Sequence, residues 1–149
     1  MQSVTVLGAK GRFGRAAVAA FVQAGWAVTA FGRGLDAASF ADVKIVQGDA
    51  RESAVVTQAC TGADVIIYAI NPPYAAWAAE VPKLSQSVIA AARATGATVL
   101  IPGNIYNYGA GMPPVLNEQT RWQPTTRKGH LRVEMEEAFR VGVIARFVR

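Results

Sequence analysis

The chain has 149 residues, 52% of them hydrophobic and only 17% charged, which fits one α/β domain whose sheet is covered on both faces. A single cysteine, Cys60, excludes an internal disulfide and a cysteine-rich zinc site, and suits a reducing cytosol where it would serve as a small buried hydrophobe. The net charge of +5 is scattered apart from Arg127-Lys128 and nearby Arg132, with no aromatic–basic stripe, so nucleic-acid binding is not expected and an anionic small molecule accounts for the cations equally well.

Val4, Val6 and Leu7 open the chain as a short buried strand that runs straight into Gly8-x-x-Gly11-x-x-Gly14. With Met1 leading straight into this strand, no signal peptide is expected, and a cytoplasmic location is expected with it. Ala16, Ala17, Ala20, Phe21 and Ala24 then recur at helical spacing, and Gly25 closes that helix. Residues 26–31 read as the second strand, ending in Gly32-Arg33-Gly34, and 35–42 as a short connection. The third strand is 43–47, followed by Gly48-Asp49-Ala50 and a short helix over 51–60. The most apolar strand, 63–70, is expected at the centre of the sheet.

Asn71-Pro-Pro-Tyr74 breaks the chain, and a helix over 75–95 follows, with Pro82 marking a kink or a fresh start inside it. Its Glu80, Lys83 and Arg93 argue against a membrane span. The fifth strand, 97–101, leads into a loop from Pro102 to Pro124 that holds four of the seven prolines. A loop of that length in a compact domain is usually functional. A further helix, marked by Leu131, Met135, Ala138 and Phe139, and a sixth strand over 143–148 complete the pattern. This alternation predicts a doubly wound parallel sheet of about six strands with helices on both faces.

Ligands of such sheets lie beyond the carboxyl ends of the strands, where the Gly8 turn, Arg33, Asp49, Asn71 and Asn104 all fall. Gly8 allows a turn this tight, a bare Gly11 would let a pyrophosphate reach the main chain, and Gly14 would let the helix lie close to the strand. The free amides at the helix start suit a phosphate. The alternative is a structural strand–helix turn. The second strand ends without the carboxylate that an NAD site places near the ribose, the first acid being Asp36. Lys10, Arg12 and Arg33 can together form a cationic pocket for the extra phosphate of NADP; otherwise they are three solvated surface cations. NADP is therefore expected as cofactor ahead of NAD. Asp49 can accept a hydrogen bond from an adenine amino group or cap the following helix, and the two roles are compatible.

The Gly8 triplet, Gly48-Asp49, Ala69-Ile70-Asn71 and Gly103-Asn104-Ile105-Tyr106-Asn107-Tyr108-Gly109 together resemble the short-chain dehydrogenase/reductase superfamily, in particular its extended or atypical NAD-dependent epimerase/dehydratase branch. The resemblance spans essentially the whole chain. It implies a Rossmann fold with the cofactor lying across residues 8–14 (Ala9 and Phe13 included), 33, Asp49 and Ala50, Ala69 to Asn71, and 102–104, with Gly103 among the last. The family's catalytic residues do not carry over. Gly103 and Asn104 occupy the places of its strand-five serines. The Tyr-x-x-x-Lys pattern, counted from Pro124, falls on Lys128 and Arg132, with Glu136 at a later glutamate; a register two residues off gives Thr126 and His130. Neither restores the tyrosine.

The candidates for catalysis are therefore Asn104, which can hydrogen-bond a carbonyl oxygen, Tyr106 (or Tyr108) as an acid, and Lys128, which needs its proton affinity lowered to act as one. Arg132 can bind ribose but is too basic to carry a proton. The alternative role of the tyrosines is packing with a hydroxyl at the surface, and His130, the only histidine, is expected at the surface. No metal site is expected. Members of this branch continue into a C-terminal region that closes over the substrate, so residues 1–149 are expected to be the cofactor half of a longer protein. Two functions remain open: an NADP-dependent oxidoreductase or epimerase/dehydratase-like enzyme acting on a carbonyl or hydroxyl carbon of a small molecule, and a non-catalytic NADP-binding redox sensor. The resemblance also implies pairing as a homodimer through helices such as 75–95 and 127–141.

Overall fold

The computed structural model describes residues 1–148. Six strands are all parallel: β1 (Ser3–Leu7), β2 (Ala27–Gly32), β3 (Lys44–Gln47), β4 (Val65–Tyr68), β5 (Thr98–Pro102) and β6 (Ala145–Val148). Their order is β3-β2-β1-β4-β5-β6, the doubly wound Rossmann arrangement expected from the sequence. Leu7 pairs with Phe31 on one side and Tyr68 on the other, and Phe31 pairs with Val46. The strands therefore end level, and the residues that follow them fall along one rim.

Four helices connect the strands: α1 (Arg12–Gln23), α2 (Ser53–Ala59), α3 (Trp77–Thr95) and α4 (Arg127–Gly142). Among the described residues, no helix is long and apolar enough to cross a membrane. The alternation of β1 sends Val4 and Val6 to one face, where they pack with Val18 of α1, Leu35 and Phe40. Leu7 faces the other way, into a larger cluster with Phe31, Val56, Trp77, Leu84, Val88 and Phe139 from α2, α3 and α4. Complete burial of a side chain such as Phe31 or Phe139 contributes about 1.5–3 kcal/mol each. These two clusters hold the rim in place.

Several boundaries differ from the sequence reading, among them the fourth strand, expected over 63–70 and found as Val65–Tyr68, and the sixth, expected over 143–148 and found as Ala145–Val148. The connection over 35–42 contains one 3₁₀ turn, Ala37–Ser39, capped by Asp36, whose carboxylate accepts from Ala38 N (3.1 Å) and Ser39 Oγ (3.2 Å). Helix α2 starts at Ser53, two residues later than expected, with Glu52 as an N-cap that makes no side-chain bond. Asp49 therefore does not cap it; its carboxylate is held by Arg51 in the preceding turn. Pro82 lies inside α3 without ending it, since the 3₁₀ turn Tyr74–Ala76 already starts the helix upstream and the apolar face of α3 is buried along its length.

Candidate nucleotide-binding site

A groove of about 760 Å³ opens along the rim beyond β1, β2, β3 and β4, within the ~300–1,000 Å³ range of small-molecule sites. Its floor is the turn after β1. Gly8 has φ +87°, a conformation that side chains other than glycine's rarely adopt, and its amide donates to the Phe31 carbonyl (2.9 Å). A Cβ on Gly14 would run into the Gly8 carbonyl oxygen and come within 2.9 Å of Ala9 Cα, so α1 can lie against the turn only with glycine there. Gly11 is different. Its backbone is extended, and a Cβ would meet nothing closer than the Gly8 oxygen at 3.5 Å. The protein itself has no steric need for glycine at this position, which faces the groove.

Gly11 is also the N-cap of α1, where it makes no side-chain cap, and the first turn holds no acidic residue. The amides at this helix start thus have no carboxylate of the protein to satisfy them. This donor set fits the pyrophosphate of a dinucleotide.

Cations stand at the β2 side of the groove. Arg33 follows β2 with its side chain 74% exposed, and its Nη1 is 3.9 Å from Asp49 Oδ2. Lys10 reaches across the turn: its Nζ lies 3.5 Å from where a Cβ on Gly34 would sit. Arg12 lines the same wall. Asp36 is turned away into its own 3₁₀ turn, so β2 presents cations and no free carboxylate. Next to them, Asp49 is gripped by Arg51 through Nη2–Oδ2 (2.6 Å) and Nε–Oδ1 (3.0 Å). These bonds hold the Asp49 carboxyl down at about 2. Arg51 also reaches Glu80 of α3 (Nη1–Oε2 3.8 Å). Arg51, Glu80, Phe31 and Leu84 line the groove but were not singled out in the sequence. The spacing of Asp49 and Arg51, two residues apart at a strand end, was the available signal.

Of the residues predicted from sequence, Gly8, Lys10, Gly11, Arg12, Phe13, Arg33, Asp49, Ala50, Ala69, Ile70 and Asn71 line the groove together. Ala9 is buried beneath the turn and Gly14 packs against it. The strand-five group lies apart from the groove lining. Gly103 follows β5, and Asn104 accepts from Tyr106 N through Oδ1 (3.0 Å), bracing its own loop. Arg132 is not free to meet a ribose. It is buried, its Nε bonds Glu136 Oε1 (2.8 Å), and its Nη2 donates to the Pro102 carbonyl. It ties α4 to the end of β5 and borders a water-sized cavity with Tyr68 and Asn71. Burial pushes the Tyr68 phenol up to about 12. Lys128 and Tyr106 do meet, through a third residue: the Lys128 ammonium lies 3.9 Å from the Tyr74 ring centroid, and the Tyr74 and Tyr106 hydroxyls are 3.3 Å apart.

The level strand ends, the glycine turn and the uncapped helix start define a dinucleotide-binding domain of the Rossmann class. A profile of the NAD(P)H-binding family matches residues 8–138, and the chain belongs to that family. Among curated proteins none matches it in sequence. Among solved structures, the fold is similar to UDP-glucose 4-epimerase from Brucella ovis in complex with NAD (TM-score 0.85, 17% identity, 99% of this chain and 50% of that one). It is also similar to UDP-N-acetylglucosamine 4-epimerase from Bacillus cereus (TM-score 0.80, 14% identity, 100% and 55%). A third is a short-chain dehydrogenase/reductase superfamily protein from Agrobacterium tumefaciens with bound NAD (TM-score 0.74, 22% identity, 99% and 48%). The chain thus spans about half the length of these structures.

Proposed function

We propose that this domain binds NADP in preference to NAD and serves as the cofactor half of an oxidoreductase or epimerase/dehydratase-like enzyme acting on a carbonyl or hydroxyl carbon of a small molecule. One observation carries the cofactor choice: Arg33 directly follows β2 and Lys10 Nζ lies beside Gly34, while Asp36 is spent on its own turn. A ribose diol needs an acceptor there, whereas a 2′-phosphate needs cations. The Gly11 face and the first amides of α1 hold the pyrophosphate, Asp49 faces the adenine, and Ala69, Ile70 and Asn71 underlie the remainder of the cofactor. Arg132 acts by positioning α4 rather than by touching ribose. When bound, the nicotinamide supplies hydride transfer, which is the cofactor's own chemistry.

Titration of NADPH and NADH against the wild type, Arg33→Ala and Lys10→Ala tests this. NADPH is expected to bind more tightly, and each substitution to weaken it by about 10- to 100-fold, the worth of one charge-assisted hydrogen bond, with little change for NADH. Equal affinities for the two nucleotides, unmoved by Arg33→Ala, would remove the NADP preference. A second reading, a non-catalytic sensor of NADP redox state, is favoured by the absence of the family's tyrosine in either register of the resemblance. It predicts binding without turnover.

A further inference from the structure

The corner beyond β4 and β5 holds chemistry that the nucleotide groove does not use. Tyr74, in the 3₁₀ turn leading to α3, is 51% exposed, and its neighbours Pro73 and Ala76 line the groove. Its ring packs edge-on to Trp77 (5.2 Å between centroids), and Trp77 in turn meets Tyr106 (6.3 Å). The Trp77 indole donates to the Pro72 carbonyl (3.0 Å), fixing the corner. Lys128 reaches this ring from the first turn of α4.

We propose that Tyr74 is the proton donor of this domain, supplied by the β4–α3 connection, with Tyr106 and Lys128 as its positioning residues. The inference rests on the nucleotide reading above. In one of the two registers of the resemblance the family's tyrosine falls on Lys128, and the Lys128 ammonium lies over the face of another tyrosine, Tyr74. A phenol and a cation thus share this corner, with the phenol supplied by the facing loop.

The Tyr74 and Tyr106 hydroxyls are 3.3 Å apart and either can donate to the other; the contact raises the pKa of Tyr106. When Tyr106 donates to the Tyr74 oxygen, the Tyr74 proton is left for an incoming ligand. When a carbonyl carbon accepts a hydride, a C–H bond forms and the carbonyl π bond breaks. Its electron pair goes to oxygen, which forms an O–H bond with the Tyr74 proton. The carbonyl is reduced, the reduced nicotinamide dinucleotide is oxidised, and Tyr74 is left as tyrosinate. The Tyr106 hydroxyl and the Lys128 charge both face that new anion, since a ring face attracts a cation more strongly as it gains negative charge. Water returns the proton after the alcohol leaves.

The test uses the whole chain with NADPH and a panel of aldehydes and ketones, together with NMR titration of protein carrying tyrosine labelled at Cζ. Tyr74→Phe should keep NADPH affinity and lose about 10²- to 10⁴-fold in kcat, the usual worth of a general acid. Lys128→Met should lose about 2- to 30-fold, as expected for a cation–π contact. In Tyr74→Phe the Tyr106 phenol should titrate closer to its ordinary value, a readout independent of turnover. Turnover in Tyr74→Phe within about threefold of wild type, with NADPH still bound, would overturn the proposal and leave the nucleotide reading intact. An unmoved Tyr106 titration would do the same, as would NADPH binding by a wild type that reduces nothing in the panel. Failure of the wild type to bind NADPH would remove both.

Discussion

Two glycines three residues apart should respond to the same methyl group in opposite ways. At Gly14 a Cβ would strike the Gly8 carbonyl and crowd Ala9 Cα. Both obstacles are backbone, which cannot rotate aside, so α1 must withdraw from β1. Overpacking of this kind costs about 1–3 kcal/mol, and each kcal/mol lowers Tm by about 2–4 °C in a domain of about this size. Gly14→Ala should therefore melt roughly 2–12 °C below wild type. At Gly11 the methyl meets one oxygen at 3.5 Å, an ordinary contact, and the backbone (φ −69°, ψ 162°) suits alanine. Losing glycine at an N-cap costs about 0.5–1 kcal/mol, and restricting the unfolded chain returns about 0.4–1 kcal/mol. The net change in stability is close to zero.

The same methyl would stand between a pyrophosphate and the first amides of α1. Loss of one charge-assisted hydrogen bond, about 1.5–3 kcal/mol, weakens NADPH binding about 10- to 150-fold. Thermal unfolding by circular dichroism and NADPH titration by fluorescence separate the two effects. Gly11→Ala should melt with wild type yet bind poorly. If it binds as well as wild type, the groove does not seat a phosphate at Gly11. If Gly14→Ala melts with wild type, the close approach of α1 is not what glycine provides there.

Two further predictions concern the ion pairs. The Asp49 carboxyl is lowered from 3.8 to about 2, chiefly by the Arg51 side-chain bonds, so its contribution to stability is complete above about pH 4 and lost as pH falls through about 2. In urea unfolding, Asp49→Asn should be less stable than wild type by a constant amount from pH 5 to 8, with the gap closing in acid; a gap that widens on acidification would contradict this. Arg132→Met removes the guanidinium from the buried Glu136 and should cost about 3–5 kcal/mol, whereas the double change with Glu136→Leu should recover most of that. A single substitution that unfolds at the wild-type urea concentration would show that the pair does not hold α4.

The sequence made the groove legible because a parallel sheet sends every strand end to one rim. Gly8, Arg33, Asp49 and Asn71 could be placed there without knowing any contact. For Arg132, counting from a family pattern carried the residue's position but not its partners, Glu136 and the Pro102 carbonyl. Arg132 and Glu136 are spaced i,i+4 and share the buried face of α4 with Met135 and Phe139, a local signal for a buried pair. Tyr74 could not be found in this way. Its neighbours Tyr106 and Lys128 lie 32 and 54 positions further along the chain, and only the folding of two loops onto one corner brings the three together.

Pro82 gives α3 a mechanical consequence. Without an amide hydrogen at that position, the Ala78 carbonyl loses its partner along the helix. The first turn of α3, Trp77–Val81, is therefore tied to the rest of the helix by one hydrogen bond fewer. That short segment carries Trp77, against which Tyr74 packs, and Glu80, which Arg51 holds at the opposite end of the groove. One turn of α3 thus serves both the aromatic corner and the Arg51 ion pair, two features that lie far apart in the sequence.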